Sequence, residues 1–246
     1  MELDIPVVLV NGLIGCLDHP ALHAALQPRA LIAPDLLGYG ALQGIPPARI
    51  DIDAQVQHLH RQLQARQVAR VYLVGHSVGG VVAMLYALRY PQQVASVVSI
   101  EGNFTLNDAF WSASVARMNA EQAEAMLDGF REDPRAWLGG AGIAASAPRL
   151  ALAQRWLAHQ PATTLQAMAR SVLTVTGAAR YHAQLQAVFA ATPVHLLAGE
   201  HSRAGWDMPH WAAQQAASVS VLAGVGHLMM LEDPQGFAQA LARLLD

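Results

Sequence analysis

The sequence predicts an α/β fold in which helices flank a mostly parallel sheet and one helical segment is inserted as a cap. Short apolar runs typical of buried strands alternate with helical patterns over residues 1–103, and the same alternation returns over residues 192–246. Residues 104–191 lie between them and show helical patterns without a convincing strand. Because alternating strands and helices pair in parallel through right-handed crossovers, we expect residues 1–103 and 192–246 to form one core and residues 104–191 to cover the edge of its sheet.

The first segment contains four apolar runs that we interpret as strands. The first of them is apolar at nearly every position, as expected for a central parallel strand that is buried on both faces. Asp51 is a favourable residue for the start of a helix, and Pro91 is expected to end the helix that precedes it. The predicted strands cover residues 6–11, 30–33, 71–74 and 94–100, and the predicted helices cover residues 20–27, 51–67 and 77–90.

The inserted segment is predicted to be helical, and the alternation resumes after it. The glycine-rich stretch 139–142 is typical of a hinge or a turn. Asp233 and Pro234 are typical of the first positions of a helix, so the last helix is expected to begin there. The predicted helices of the insertion cover residues 107–131, 149–159, 163–172 and 178–191, and the later elements are strands at 193–198 and 219–222 with a helix at 208–217 between them.

Composition and charge exclude several classes of function. A chain of 246 residues with 53% hydrophobic residues can form one domain with a large core, and a net charge of −3 without a basic cluster argues against a nucleic-acid partner. The single cysteine, Cys16, excludes an intramolecular disulfide framework and a thiolate zinc site. No His-Glu-x-x-His pattern, signal peptide or membrane-spanning run is found. We therefore expect a cytoplasmic protein without a metal or a cofactor, and its oligomeric state is left open.

Residues 75–79 read Gly-His-Ser-Val-Gly and lie between a predicted strand and a predicted helix, which is the pattern of a nucleophile elbow. The sharp turn strains the backbone of Ser77, and small residues two positions before and after it allow strand and helix to approach closely. The Ser77 hydroxyl would then stand at a helix N-terminus, where free N–H groups favour the negative charge that forms during acyl transfer. A glycine-rich turn that contains a serine is the alternative, but the flanking elements favour a nucleophile.

A serine hydroxyl needs a general base at neutral pH, and His227 is the candidate. It ends the sequence Gly-Val-Gly-His at residues 224–227, after the last predicted strand. Because the carboxyl ends of parallel strands share one edge of the sheet, His227 and Ser77 are both expected at that edge. A histidine that only braces its loop is the alternative interpretation. His76 adjoins Ser77 in the sequence, but its side chain is expected to point elsewhere.

Simple geometry brings Glu101 to the same edge. The helix over residues 77–90 descends by about 21 Å at ~1.5 Å per residue. The strand over residues 94–100 climbs back by about 23 Å at ~3.3 Å per residue. Glu101, the next residue, therefore returns to the level of Ser77.

With these motifs in place, the sequence resembles the α/β-hydrolase superfamily over essentially its whole length. The resemblance implies an α/β-hydrolase fold, shortened here to about six strands because the chain begins almost at the family's third strand. It also implies an oxyanion hole of two backbone N–H groups, which by position are those of Leu13 and Val78. The motifs that carry the resemblance are Val10-Asn11-Gly12, residues 33–40, residues 75–79, residues 199–202 and Gly226-His227.

Two departures from the family pattern affect the site. Many members have His-Gly where this chain has Asn11-Gly12, which keeps the backbone donor but changes what anchors its loop. Members commonly place the acid of the triad after the penultimate strand, where this chain has Ser202, which cannot stabilise an imidazolium by charge. Some members take the acid from the loop after the preceding strand, where Glu101 stands. We therefore predict that Glu101 orients His227.

Two other carboxylates stay open as the acid of the triad. Glu200 lies next to the usual position, and Asp207 follows a few residues later. Glu101 can instead be a residue that caps the segment entering the insertion. Its position beside a glycine at the end of a strand, in a chain with only 13% charged residues, favours the catalytic role.

The sequence thus predicts a serine hydrolase that cleaves a carboxylic ester or a related acyl bond through an acyl-enzyme on Ser77. The Ala, Leu, Met and Trp residues of the insertion favour a small apolar substrate, although the same residues can be the core of the cap. Because one fold carries several chemistries, a C–C bond hydrolase, a thioesterase or acyltransferase, a cofactor-free dioxygenase and a slow-turnover ligand receptor stay open as alternatives.

Overall fold

The computed structural model describes residues 5–245 and contains a six-stranded sheet in which every pair of neighbouring strands is parallel. The strands lie in the order β2-β1-β3-β4-β5-β6 across the sheet. The predicted α/β fold with a parallel sheet of about six strands is therefore confirmed. In chain order the strands are β1 (Val7–Val10), β2 (Leu31–Ile32), β3 (Val71–His76), β4 (Val94–Ile100), β5 (Val194–Gly199) and β6 (Ser218–Leu222).

Helices flank this sheet. Helix α3 contacts β1, β3 and β4, while α12 contacts β6 and α1. No helix within residues 5–245 combines the length and the apolar composition needed to cross a bilayer. The helices are α1 (Pro20–Ala25), α2 (Ile52–Ala65), α3 (Val78–Arg89), α4 (Phe110–Arg117), α5 (Ala120–Glu132), α6 (Pro134–Gly140), α7 (Ala147–Leu157), α8 (Ala162–Thr176), α9 (Ala179–Ala191), α10 (His210–Gln215), α11 (Met229–Glu232) and α12 (Pro234–Leu245).

Helices α4 to α9 all lie between β4 and β5, where the sequence shows no alternation of strands and helices. Helix α8 contacts α4 and α5 of the same segment, and it also contacts α2 and α3 beside the sheet. Trp156, Leu165 and Met168 are among the buried apolar side chains of this segment. The segment thus has apolar packing of its own and is joined to the helices that flank the sheet.

The helix predicted over residues 107–131 is divided in two. Asn119 accepts a hydrogen bond from the N–H of Gln122 at 2.8 Å, and the side chain of Gln122 accepts one from the N–H of Asn119 at 2.9 Å. This reciprocal arrangement begins a new helix, so α4 and α5 are separate. Helix α6 was not predicted, because its short length and its glycines at 139–140 are typical of a turn.

The register of the sheet aligns the ends of its central strands. Val10 of β1 lies beside Gly75 of β3. Ile100, the last residue of β4, lies between His76 of β3 and Leu197 of β5. The residues that follow β1, β3, β4 and β5 therefore leave the sheet at the same edge, as expected for parallel strands.

Gly79 sets the distance between α3 and β1. A Cβ atom at position 79 would lie 2.3 Å from the carbonyl oxygen of Val10 and 2.4 Å from that of Asn11. Both obstacles are backbone atoms of a buried strand and its loop, which cannot rotate aside as a flexible side chain can. The close approach of the helix to the strand therefore requires glycine.

We expect Gly79→Ala to lower the free energy of unfolding by about 1–3 kcal/mol, because the added methyl group forces α3 away from β1. Gly129→Ala in α5 is the matched control, since a Cβ atom there meets nothing within 4 Å. Alanine is favoured over glycine inside a helix by about 0.5–1 kcal/mol, so this control should be stabilised. Urea unfolding followed by circular dichroism measures both variants, and equal shifts of the same sign would contradict the close approach.

Candidate active site

Ser77 occupies the turn between β3 and α3 in a strained conformation. Its φ of 53° and ψ of −123° are unusual for a residue with a side chain. A Cβ atom on Gly75 would lie 2.4 Å from the carbonyl oxygen of Gly79, so the turn closes only with glycine there. The N–H of Ser77 donates to the carbonyl of Ile100 at 2.9 Å, and its carbonyl accepts from the N–H of Gly80 at 2.8 Å. These contacts hold the serine at the carboxyl edge of the sheet.

Glu101 follows β4 directly and is buried, with 5% of its surface exposed. One carboxylate oxygen, Oε1, accepts hydrogen bonds from the N–H of Gly199 at 2.8 Å and from the hydroxyl of Ser202 at 2.5 Å. The other, Oε2, accepts a hydrogen bond from Nδ1 of His227 at 2.5 Å. Glu101 has a φ of 43°, so its backbone is also strained. The structure thus brings Glu101 and His227 together.

The environment of Glu101 favours its ionised form. Burial acts to raise the pKa of this carboxyl group, but the hydrogen bonds from His227, Ser202 and Gly199 together hold it below its usual value of 4.5. Glu101 is therefore a carboxylate at neutral pH. It keeps the proton of His227 on Nδ1 and leaves Nε2 available to accept another.

Ser77 and His227 lie on the wall of the same cavity, which has a volume of about 720 Å³ and also includes Glu101. The side chain of His227 is 42% exposed. Among residues 5–245 no hydrogen bond joins the Ser77 hydroxyl to Nε2 of His227. Catalytic hydrogen bonds are often long or poorly aligned without substrate and tighten when substrate binds. The arrangement therefore contains the three groups that a serine triad needs, at one edge of the sheet.

The interpretation that His76 points away from the site is wrong. His76 lines the same cavity, and its ring lies 4.5 Å from the ring of His227. Its Nε2 donates to the carbonyl oxygen of His227 at 3.0 Å. Burial, together with the nearby His227 ring, lowers the pKa of His76 well below its usual value of 6.5. His76 is thus a neutral side chain that supports the backbone and ring of His227.

The two N–H groups predicted to form the oxyanion hole belong to buried residues. Neither the N–H of Leu13 nor that of Val78 donates to another group in the described part of the chain. Tyr39 donates its hydroxyl to the carbonyl of Leu13 at 3.2 Å, and the side-chain amide of Asn11 donates to the carbonyl of Gly12 at 2.9 Å. These bonds anchor the loop after β1 beside Ser77 and leave both N–H groups as potential donors.

Glu200 and Asp207, the other two candidates for the acid, have different partners. Glu200 is exposed, and its Oε2 accepts from the N–H of Gly224 at 2.7 Å. Asp207 is exposed and accepts from the hydroxyl of Thr105 at 2.7 Å and from the side-chain amide of Asn107 at 2.9 Å. Neither is hydrogen-bonded to His227, so each braces a surface loop.

The remaining wall of the cavity comes largely from the inserted segment, whose apolar residues were expected near the substrate but were not assigned to the wall one by one. Its aromatic residues are Phe110, Trp111, Phe130, Trp137 and Trp206. The first four belong to α4, α5 and α6, and Trp206 follows β5, so no local sequence signal shows that they meet at one cavity. Across the described residues, no group of three or more His, Cys, Asp and Glu side chains is arranged to hold a metal ion.

The neutral state of His76 predicts a pH dependence of stability. Below about pH 6.5 the unfolded chain binds a proton at His76 and the folded protein does not, so the free energy of unfolding should fall as the pH falls. One such proton contributes a slope of about 1.4 kcal/mol per pH unit. His76→Asn should therefore flatten the decline between about pH 6.5 and pH 5. Urea titrations at several pH values measure the slope, and identical slopes for both proteins would contradict a neutral His76.

Comparison with known proteins finds curated hydrolases that are similar to part of this chain. Lipase 3 of Moraxella sp. (strain TA144) is 32% identical over 114 residues, which cover 46% of this chain and 35% of that protein. The 2-hydroxy-6-oxo-2,4-heptadienoate hydrolase of Pseudomonas putida is 33% identical over 111 residues, which cover 42% of this chain and 40% of that protein. The aligned part of the chain thus spans well under two thirds of the length of these curated relatives.

Solved structures and a family model extend the comparison to nearly the whole chain. A thermophilic esterase from Thermogutta terrifontis superimposes with a TM-score of 0.71 at 21% identity, covering 98% of this chain and 89% of that one. At this identity the likeness shows the fold alone. The model of the alpha/beta hydrolase family matches residues 7–240. Because this match covers far more than half of the chain, the protein belongs to the alpha/beta hydrolase family.

Proposed function

We propose that this protein is a serine hydrolase that cleaves a carboxylic ester of a small, largely apolar substrate through an acyl-enzyme on Ser77. The hydrogen bond of 2.5 Å between Glu101 and His227, on the wall of the cavity that contains the strained Ser77, is the observation that carries the proposal. A hydrolase is supported by membership of the alpha/beta hydrolase family. An ester as substrate is favoured by the resemblance to Lipase 3 of Moraxella.

The reaction begins with attack of the Ser77 hydroxyl on the ester carbonyl. His227 accepts the hydroxyl proton on Nε2, and the Glu101 carboxylate stabilises the imidazolium through its bond to Nδ1. The negative charge on the former carbonyl oxygen is bound by the N–H groups of Leu13 and Val78. The C–O bond to the alcohol then breaks, and the alcohol leaves with the proton held by His227.

Hydrolysis of the acyl-enzyme follows the same path with water. His227 removes a proton from water as the water oxygen attacks the acyl carbon. The oxyanion again lies against the two N–H groups. Collapse of this intermediate breaks the bond to Ser77, whose oxygen regains the proton from His227, and the carboxylic acid is released.

We further propose that residues 104–191 act as a cap over this site. Helices α4 to α6 contribute Phe110, Trp111, Phe130 and Trp137 to the cavity wall. An apolar wall of this kind excludes water and favours the apolar part of an ester. In this proposal the core supplies the reacting groups, and the cap determines which substrates fit the cavity.

A C–C bond hydrolase is the second candidate. The Pseudomonas putida relative is named a 2-hydroxy-6-oxo-2,4-heptadienoate hydrolase and matches at 33% identity. Because the same nucleophile, base and acid can serve several reactions, the site geometry does not separate this substrate from a simple ester. Turnover of esters and of dienoate substrates by the same preparation separates the two.

The proposal predicts that Ser77 carries ester turnover. The wild-type protein should hydrolyse 4-nitrophenyl esters and be labelled by a fluorophosphonate probe, whereas Ser77→Ala should lose the labelling and about 10³-fold or more of kcat/KM. Mass spectrometry of the labelled peptide and initial rates measure both. Labelling without turnover would favour a slow ligand receptor, and ester hydrolysis that survives in the variant would rule out the serine mechanism.

The proposal also predicts which carboxylate is the acid. Glu101→Gln keeps the shape of the side chain but removes the charge that stabilises the imidazolium, so kcat should fall by about 10³–10⁴-fold. Glu200→Gln is the matched control and should change kcat by no more than about threefold, since Glu200 bonds only to a surface loop. Single-turnover kinetics compare the two variants. A larger loss in Glu200→Gln would refute the choice of Glu101.

A further inference from the structure

The charged groups on the cavity wall are all acidic. Glu101, Asp108 and Asp133 line the cavity, and no lysine or arginine side chain of residues 5–245 does so. Glu101 is engaged by His227, Ser202 and Gly199. Asp133 is exposed at the rim and caps α6. Asp108 is therefore the carboxylate on the wall that neither the proposed reaction nor a helix end accounts for.

Asp108 is a partly buried carboxylate without a cationic neighbour. It accepts hydrogen bonds from the N–H of Phe104 at 2.8 Å and from the side-chain amide of Asn103 at 3.2 Å, and more weakly from the N–H of Thr105 at 3.4 Å. None of the ion pairs in the described part of the chain includes it. Burial, with a contribution from Asp207, raises the pKa of Asp108 to about 6. It is thus ionised at neutral pH, and a partly desolvated charge of this kind favours an opposite charge beside it.

Asn103 adds an unsatisfied acceptor next to Asp108, whose own carboxylate oxygens accept the hydrogen bonds given above. It is 6% exposed and lines the cavity, and Tyr181 fixes its backbone by donating to its carbonyl at 2.8 Å. Its side-chain amide nitrogen donates to Asp108 at 3.1 Å and 3.2 Å, while its Oδ1 is buried and has no partner among the described residues. A buried acceptor without a donor is uncommon in proteins and favours the approach of a hydrogen-bond donor.

Aromatic side chains complete this wall. Phe110 and Trp111 lie in the first turn of α4, which begins two residues after Asp108, and Phe130 and Trp137 lie with their ring centres 6.3 Å apart. The faces of such rings attract cations, and tryptophan does so most strongly. An apolar chain and a positive charge can both be accommodated by this wall, whereas a carboxylate is disfavoured by the three acidic residues.

We propose that the substrate of this site carries an ammonium group in addition to its ester, and that this group is bound by Asp108 with Asn103 and the aromatic wall around it. The inference rests on the proposed ester hydrolysis and narrows its substrate class from an apolar ester to an amino-alkyl ester. Asp108 is in this role a specificity-determining residue and takes no part in bond breaking.

Three esters of matched shape test the proposal: 4-nitrophenyl 6-aminohexanoate, 4-nitrophenyl heptanoate and mono-4-nitrophenyl adipate. They end in an ammonium, a methyl and a carboxylate group at the same chain length. The wild-type kcat/KM for the ammonium ester should exceed that for the methyl ester by about tenfold or more, and the carboxylate ester should be the slowest. A ratio of one or less between the first two esters would overturn the proposal.

Two variants test whether Asp108 is the source of the preference for the ammonium ester. Asp108→Asn should bring the ratio of kcat/KM for the ammonium and methyl esters close to one, because it removes the charge and keeps the shape of the side chain. Glu200→Gln removes the same charge from an exposed carboxylate outside the cavity, which bonds to the N–H of Gly224, and should keep the wild-type ratio. A preference that survives in Asp108→Asn, or that is lost equally in Glu200→Gln, would contradict the role of Asp108.

A binding experiment separates this inference from the proposed reaction and does not depend on the folding of the Asp108 variant. Calorimetry of Ser77→Ala with hexylammonium and with hexan-1-ol should detect binding of the cation at least about tenfold more tightly. If the esters are not hydrolysed but this difference is found, the ester reaction fails and the cation site stands. If the esters are hydrolysed but the alcohol binds as well as the cation, the inference fails and the reaction stands.

Discussion

The hydrogen-bonded carboxylate of Glu101 is the interaction on which the arrangement of the site depends. Its oxygens accept from the N–H of Gly199 at the end of β5, from the hydroxyl of Ser202 in the following loop, and from the ring of His227 after β6. A carboxylate that is 5% exposed is destabilising unless such donors surround it. Because the donors come from different loops, the charge fixes the loops after β4, β5 and β6 relative to one another and so sets the orientation of His227.

The sheet and the inserted helices contribute different parts of the cavity. The sheet supplies its reactive end, since parallel strands deliver Ser77, Glu101 and the loop before His227 to one edge. The insertion supplies the aromatic wall and, in our proposal, the group that binds the charged end of the substrate. The alpha/beta hydrolase fold by itself supports many reactions. In our proposal the residues at the edge of the sheet determine the chemistry, and those of the insertion determine the choice of substrate.

Much of the fold could be predicted from local sequence. The apolar runs that form the six strands are continuous in the chain. The glycines around Ser77 indicate a turn that only small residues permit. The prediction of one long helix over residues 107–131 was wrong. The reciprocal hydrogen bonds of Asn119 and Gln122 begin a new helix there, although the helical pattern of the sequence continues on both sides. Boundaries of this kind depend on individual hydrogen bonds that a periodic pattern does not reveal.

The sequence by itself determined the parallel sheet, the strained turn at Ser77 and the end of the sheet at which the candidate groups would lie. The sequence favoured Glu101 over Glu200 as the partner of His227 but left both open, because both follow strands that end at this edge. Only the tertiary structure decided which of them contacts His227, and it also brought His76 and Asp108 to the cavity. The physical reason is that a strand pattern fixes where a residue leaves the sheet, whereas the direction of its side chain depends on contacts between loops far apart in the chain.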